Sequence, residues 1–249
     1  LLNNEDVEAV HLDTVGLFYC AHVCSDVRIV LNHHNIESHM MLRRAEKESN
    51  WLKKKYFELE SSKLQALEKV ACKKTFMNIT CSPLDSDRLL ECCGSISVES
   101  VANGVDLNYF TPAGVNGSDD VVVFVGGLNW YPNLEAVTYF VRNIWPVLKA
   151  RCPTVKFHHI GQDPPEWLRA LGEDPSSDIH VFGFVEDVRP YIDAAKVYVC
   201  PITDGGGTKL KILDALAMKK ALVAHSIACE GIDVAAVSYT HLTLPTKCW

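Results

Sequence analysis

The stretch from Val197 to Met218 constrains the fold more than any other part of the chain. It reads Val-Tyr-Val-Cys-Pro-Ile-Thr-Asp-Gly-Gly-Gly-Thr-Lys-Leu-Lys-Ile-Leu-Asp-Ala-Leu-Ala-Met. Its first four residues make a short apolar strand. Leu210, Leu213 and Ala217 then recur at helical spacing, so the glycines form a turn that opens a helix. Glycine lets a backbone approach a ligand closely. The first N–H groups of a helix lack intrahelical partners, and the helix dipole favours an anion there. Lys209 and Lys211 add positive charge at the same end, where a purely structural helix start favours acids. Together these features read as a cradle for a phosphate or diphosphate. A plain strand-to-helix turn with surface lysines is the alternative. The spacing is neither that of a Walker loop nor that of a Gly-x-Gly-x-x-Gly dinucleotide turn, since residues 208–214 contain no glycine.

The same alternation of strand and helix extends on either side of this segment. Strands are expected at 121–126, 155–160, 180–182, 197–201 and 221–225, with helices at 133–150, 165–171, 188–194 and 208–218. In the first of these helices Leu134, Val137, Val141, Ile144 and Leu148 form one apolar stripe. Such alternation gives a parallel, doubly wound sheet with right-handed crossovers. The first half is also βαβ-like, with strands at 7–13, 27–31, 75–82 and 97–102 and helices at 15–24, 39–70 and 84–92. Residues 111–120, with Pro112, Gly114, Gly117 and Ser118, read as a linker between a domain of residues 1–110 and one of residues 121–236.

At 249 residues the chain holds one large or two ordinary domains. A net charge of −7 leaves no basic footprint for nucleic acid. No apolar run approaches the roughly 20 residues of a spanning helix. The ten cysteines contain no Cys-x-x-Cys. Buried thiols are expected, Cys152 and Cys200 among them, rather than disulfides or a metal site.

The loop Asn32-His33-His34-Asn35-Ile36-Glu37-Ser38 follows a strand, at the edge where open α/β sheets bind ligands. Adjacent His33 and His34 point opposite ways in extended chain, so one faces the loop's ligand side while the other packs. His33, His34 and His39 have no zinc-ligand spacing. Ser38 reads equally as a helix cap, and Arg43 and Arg44 as a solvated helix face.

The triglycine segment resembles the donor-diphosphate signature of family 4 glycosyltransferases of GT-B fold, particularly bacterial polysaccharide-type members of glycosyl transferase group 1. Phe124-Val125-Gly126-Gly127-Leu128-Asn129-Trp130-Tyr131-Pro132-Asn133 is similar to the first strand and loop of their donor domain. Gly183-Phe184-Val185-Glu186-Asp187-Val188-Arg189-Pro190-Tyr191 is similar to its third strand and the following helix start. Asn103-Gly104-Val105-Asp106, with Phe110 and Pro112, resembles the close of the acceptor domain. The resemblance implies an α/β protein of two Rossmann-like domains, both incomplete here. It also implies retaining, metal-independent transfer of a sugar from a GDP- or UDP-sugar donor to a glycan or lipid-linked acceptor. The setting implied is cytoplasmic, with peripheral association at the inner face of a membrane.

By that resemblance His34 contacts the donor sugar, and Lys209 and Lys211 stabilise the leaving diphosphate. Gly205, Gly206, Gly207 and Thr208 cradle the diphosphate, and Leu210 lies beside them. Gly126 and Gly127 line the donor from the first strand. Gly183, Phe184 and Val185 hold the base, and Glu230 approaches the donor with Gly231. Asn35 and Glu37 face acceptor hydroxyls. Asp214 stands where most members carry the ribose-binding second Glu of a Glu-x7-Glu motif. The first Glu falls on Gly206, and the basic pair usual after the first donor strand is missing. The shorter Asp214 and the missing Glu suit one rival, a non-catalytic sugar-nucleotide or phosphate-binding module; a second rival, a GT-B-related sugar-nucleotide epimerase, has the triglycine-Lys-x-Lys segment and the Asn-Gly-Val-Asp motif against it.

The start, Leu1, reads as truncated. Val237-Ser238-Tyr239-Thr240-His241-Leu242 back-translates to GTC-TCT-TAT-ACA-CAT-CT, which resembles a transposon mosaic-end adapter. Residues 237–249 are therefore expected to be a non-native tail.

Overall fold

A computed structural model describes residues 7–23, 27–114 and 120–234. The chain forms two compact units. One holds residues 1–103 with two later pieces, 204–208 and 230–232; the other holds the remainder. Part of the expected linker, 115–119, and the whole expected tail lie outside the described residues.

In the first unit four parallel strands stand in the order β1 (Ala9–Leu12), β2 (Arg28–His33), β3 (Met77–Thr80), β4 (Val98–Ser100). Helices α1 (Glu37–Lys47) and α2 (Trp51–Lys74) link β2 to β3, and α3 (Pro83–Cys93) links β3 to β4. One apolar cluster gathers Leu12, Val15, Ile29, Leu31 and Ala71. A second gathers Ile36, Cys72, Leu89 and Cys93. Two expectations need correction. The helix expected at 15–24 is a 3-10 helix over Val15–Val23. The long helix expected at 39–70 is two helices, because the Asn50 side chain accepts from the N–H groups of Leu52 and Lys53 and so starts α2 afresh.

Ser38 is not the cap of α1. Ile36 holds that position without a side-chain bond. The cap comes instead from α2: Glu68, fully buried, accepts from the Ser38 N–H at 3.1 Å and from the Ser38 hydroxyl. Burial, more than these bonds can offset, raises the Glu68 carboxyl above its ordinary 4.5. The unfolded chain therefore releases this proton first, so raising the pH from about 4.5 costs stability. Glu68→Gln removes that titration while keeping an acceptor for α1. Its stability is expected to fall less than the parent's over this rise. Parallel curves from denaturant melts at several pH values would refute this.

In the second unit five parallel strands stand in the order β7-β6-β5-β8-β9. They are β5 (Val121–Val125), β6 (Lys156–Ile160), β7 (Ile179–Val181), β8 (Val197–Cys200) and β9 (Ala221–Ala224). Helices are α4 (Tyr131–Tyr139), α5 (Trp145–Arg151), α6 (Glu166–Glu173), α7 (Arg189–Ala194) and α8 (Leu210–Ala217). The chain runs outward from β5 to β7, then returns to the other side of β5. Strand order thus reverses between β5 and β8, the position where doubly wound sheets bind ligands beyond their carboxyl ends.

The helix expected at 133–150 is interrupted by a π-helical turn, Phe140–Ile144. Pro146 follows it and has no N–H to give to the carbonyl four residues back, so the wider turn absorbs the lost bond. The rings of Phe140, Trp145 and Phe157 pack together at 4.6–6.4 Å. An apolar cavity of about 500 Å³ opens on the same unit, lined by Val122, Phe140, Leu148, Val199 and Val223 among others. All nine expected strands are present. Cys200 is buried as expected, whereas Cys152 is exposed at the end of α5.

Candidate functional site

Beyond the carboxyl end of β5, three loops are joined by backbone hydrogen bonds. Gly126 N–H donates to Ile160, Leu128 N–H to Gln162, and Gly161 N–H to Gly183, at 2.8–2.9 Å. A Cβ on Gly161 would strike the Gly126 carbonyl, and one on Gly127 would lie 2.9 Å from Asn129 Oδ1. Glycine is required at 161 because backbone lies on backbone there, whereas at 127 the neighbours are the Asn129 and Gln162 side chains.

Lys211, in the first turn of α8, reaches this turn. A Cβ on Gly126 would lie 2.5 Å from its Nζ. The ammonium donates to Asn133 Oδ1 at 2.8 Å and sits 4.6 Å from the centre of the Phe124 ring. Asn133 Nδ2 in turn donates to the Gly127 carbonyl at 2.8 Å. Desolvation pushes Lys211 down to about 8, with Lys209 adding to the shift. Burial pushes Asp214 up to about 6, against the pull of Lys211. Beneath the turn, buried His159 lies 3.2 Å from the Gly126 carbonyl through Nε2. Desolvation pushes its pKa down to about 4, so it is neutral near pH 7, with its proton on Nε2 facing that carbonyl.

Lys209 is the N-cap residue of α8, which starts at Leu210 rather than at the expected Thr208. Leu210 and Phe184 are exposed, and Val185 is half-buried. Gly183 has a φ of +66°, a backbone that favours glycine, and open space where a Cβ would stand.

The first unit assembles the remaining candidates. His33 is buried and bonds Asn78 Oδ1 at 3.2 Å, with its pKa lowered by desolvation. His34 is the outward member of the pair, 52% exposed, with Nε2 2.9 Å from Asp13 Oδ1. Hydrogen bonds from Asn32 and then His34 hold the Asp13 carboxyl below its usual range. Gly207 has a φ of +63°, and a Cβ there would overlap the His34 carbonyl and Asn35 Oδ1. Gly206 lies against Asn35 as well. The triglycine turn and the His34–Asn35 loop are therefore packed together. Thr208 Oγ1 is buried without a hydrogen-bond partner among the described residues. Glu37 is half-buried, and desolvation raises its carboxyl against a hydrogen bond from Asn35.

Arg43 and Arg44 are not a solvated face. Arg43 donates to the Gly205 carbonyl at 2.9 Å and to both Glu230 oxygens at 3.0 Å. Arg88 adds a third bond to Glu230 at 3.0 Å. Burial alone would raise the Glu230 pKa, but the bonds from Arg88 and Arg43 outweigh it and hold the carboxyl below its ordinary value. Arg44 pairs with Asp204, which is buried and accepts from the Gly205 N–H. Sequence reading missed Arg43, Arg88, Asp204, Asn133 and Gly161. Asp204 alone carried a local signal, as a lone acid inside an otherwise apolar and glycine segment.

Residues 119–241 match the family of glycosyl transferases group 1. That stretch covers the whole sheet of the second unit and runs into the expected tail. No curated protein matches the chain. Among solved structures it resembles sucrose-phosphate synthase from Thermosynechococcus elongatus, with a TM-score of 0.67 and 14% identity over 92% of this chain and 58% of that one. It resembles a glycosyltransferase from Rickettsia africae, with a TM-score of 0.63 and 16% identity over 93% and 62%. HepE of Anabaena, solved with UDP, gives a TM-score of 0.62 and 16% identity over 87% and 59%. At these identities the likeness is one of fold, an α/β fold of parallel sheets shared with GT-B glycosyltransferases. The chain spans about three-fifths of the length of these three structures.

Proposed function

We propose that this protein, in its complete form, transfers a sugar from a nucleotide-diphosphate donor to a glycan or lipid-linked acceptor with retention at the anomeric carbon. The observation that carries the reading is the Lys211 ammonium, held at the Gly126–Gly127 turn inside the segment that matches glycosyl transferases group 1. HepE has been solved with UDP-glucose as well as with UDP, which favours UDP as the donor's nucleotide.

The chemistry fits the side chains. Breaking the sugar–phosphate bond develops negative charge on the leaving diphosphate. A cation fixed beforehand in a desolvated site stabilises that charge without reorganising. Lys211 has this character, Lys209 brings a second cation at the start of α8, and the buried Thr208 hydroxyl supplies an unused donor. The acceptor hydroxyl attacks from the face the diphosphate leaves, and its proton goes to a departing phosphate oxygen. This route calls for no metal. His34, held by Asp13, offers an oriented imidazole to the donor sugar. Asp214 is the acceptor for ribose hydroxyls, and Gly183, Phe184 and Val185 border the base. No helix among the described residues is long and apolar enough to cross a membrane.

Between about pH 6 and 8 the site holds Lys211 as a cation and Asp214 as an anion. UDP affinity is therefore expected to fall as pH rises through 8. Calorimetric titration with UDP, with inorganic phosphate as control, checks this. A panel of sugar nucleotides then tests turnover. Absence of UDP binding at pH 7, or affinity flat to pH 9.5, would sink the reading.

A further inference from the structure

Asn133 lies at the start of α4 and is 7% exposed, yet three parts of the second unit meet through it. Its Nδ2 donates to the Gly127 carbonyl and its Oδ1 accepts from the Lys211 ammonium, each at 2.8 Å. A primary amide does both at once. A carboxylate can only accept, and an aliphatic chain does neither. Asn133 thus fixes the direction of a lysine whose stem runs in from another helix.

We propose that Asn133 is a positioning residue that aims the Lys211 ammonium at the Gly126–Gly127 turn, where the donor diphosphate binds. The inference rests on the nucleotide-sugar reading. The Phe124 ring lies 4.6 Å from the ammonium, and the titratable groups around it bear on its charge. His159 approaches from β6 and is neutral near pH 7, and Cys200 approaches from β8 with its thiol pushed up to about 11 by burial. Lys209 and Asp214 act from its own helix and that helix's start. Among the described residues the Asn133 oxygen accepts from the ammonium alone, so it favours the charged form against burial. Proton state and aim are coupled at one contact.

The test measures two things on the 249-residue protein. The first is the titration midpoint of the Lys211 side chain by NMR, assigned with Lys211→Arg. Asn133→Leu is expected to lower the midpoint by about one pH unit, and Asn133→Asp to raise it by about as much. The second is UDP affinity. Asn133→Leu is expected to weaken it about tenfold at pH 7, with a steeper loss above that pH. Asn133→Asp keeps size and restores the lysine's charge, but places an acid beside the diphosphate and leaves the Gly127 carbonyl without its donor. It too is expected to bind UDP about tenfold less well. Equal midpoints in the three proteins would mean that Asn133 only packs, and the proposal would fall whatever UDP does. Shifted midpoints with unchanged UDP affinity would overturn it as well. Absence of UDP binding by the parent protein would remove the nucleotide-sugar reading, and the Lys211 titration would still decide whether Asn133 holds the ammonium.

Discussion

Lys211→Met is expected to cut sugar transfer by the complete protein about 100- to 1,000-fold, the usual cost of deleting one fixed donor to a developing charge. Methionine keeps the length and apolar bulk of the stem over Phe124, so folding should be spared. The depressed pKa supports this, because the parent site holds a partly desolvated charge. Removing that charge is expected to leave the melting temperature unchanged or raised at pH 7. Lys211→Arg keeps the charge but not the point geometry that Asn133 accepts, so it should fall between the two. Initial rates with a UDP-sugar and thermal melts on the same preparations decide the matter. Full turnover by Lys211→Met would take the lysine out of the mechanism.

Gly161→Ala is expected to be the costliest single methyl in the second unit. Its Cβ would be driven into the Gly126 carbonyl and the Gly127 nitrogen, both backbone atoms in loops already joined by hydrogen bonds. Nothing there can turn aside as a side chain would. A loss of about 3 kcal/mol and a fall in melting temperature of roughly 6–12 °C are expected. The damage should also reach the site, because relief must come by moving the Gly126–Gly127 turn away from Lys211. Weakened UDP binding should therefore accompany the lower melting temperature. A variant that melts within a degree of the parent would show that the loops yield freely.

What was legible in the sequence was whatever has a short period. Alternating strands and helices, the glycine turn and the division of labour between His33 and His34 depend on neighbours within a few residues. The break before α2 was also written locally, in Asn50 ahead of Trp51, but lysine- and glutamate-rich helix on both sides hid it. The π turn at Phe140–Ile144 was signalled by Pro146, which a stripe of apolar residues running past it concealed. The long-range pairs were not legible. Arg43 and Arg44 look solvated because their acids, Glu230 and Asp204, lie 187 and 160 residues away. Asn133 reads as an ordinary helix start until Lys211 arrives from 78 residues further on. Gly161 shows its purpose only against Gly126, on another strand's loop.

The two late pieces in the first unit bear on how the protein is made. Residues 204–208 and 230–232 belong to that unit, although four strands of the second unit's sheet lie between Asn103 and the first piece and the fifth, β9, lies between the two pieces. On a ribosome the early sheet emerges first, while the carboxylate that neutralises Arg43 and Arg88 is still to be translated. Contacts this distant in sequence close long loops before they are rewarded and form late. The first unit is thus begun before the second unit's sheet is made and completed after it. A nascent chain arrested before Glu230 should hold a half-made unit in which Arg43 lacks its carboxylate and Arg88 keeps Asp85 alone, a state open to proteases and to chaperones that the finished chain would escape.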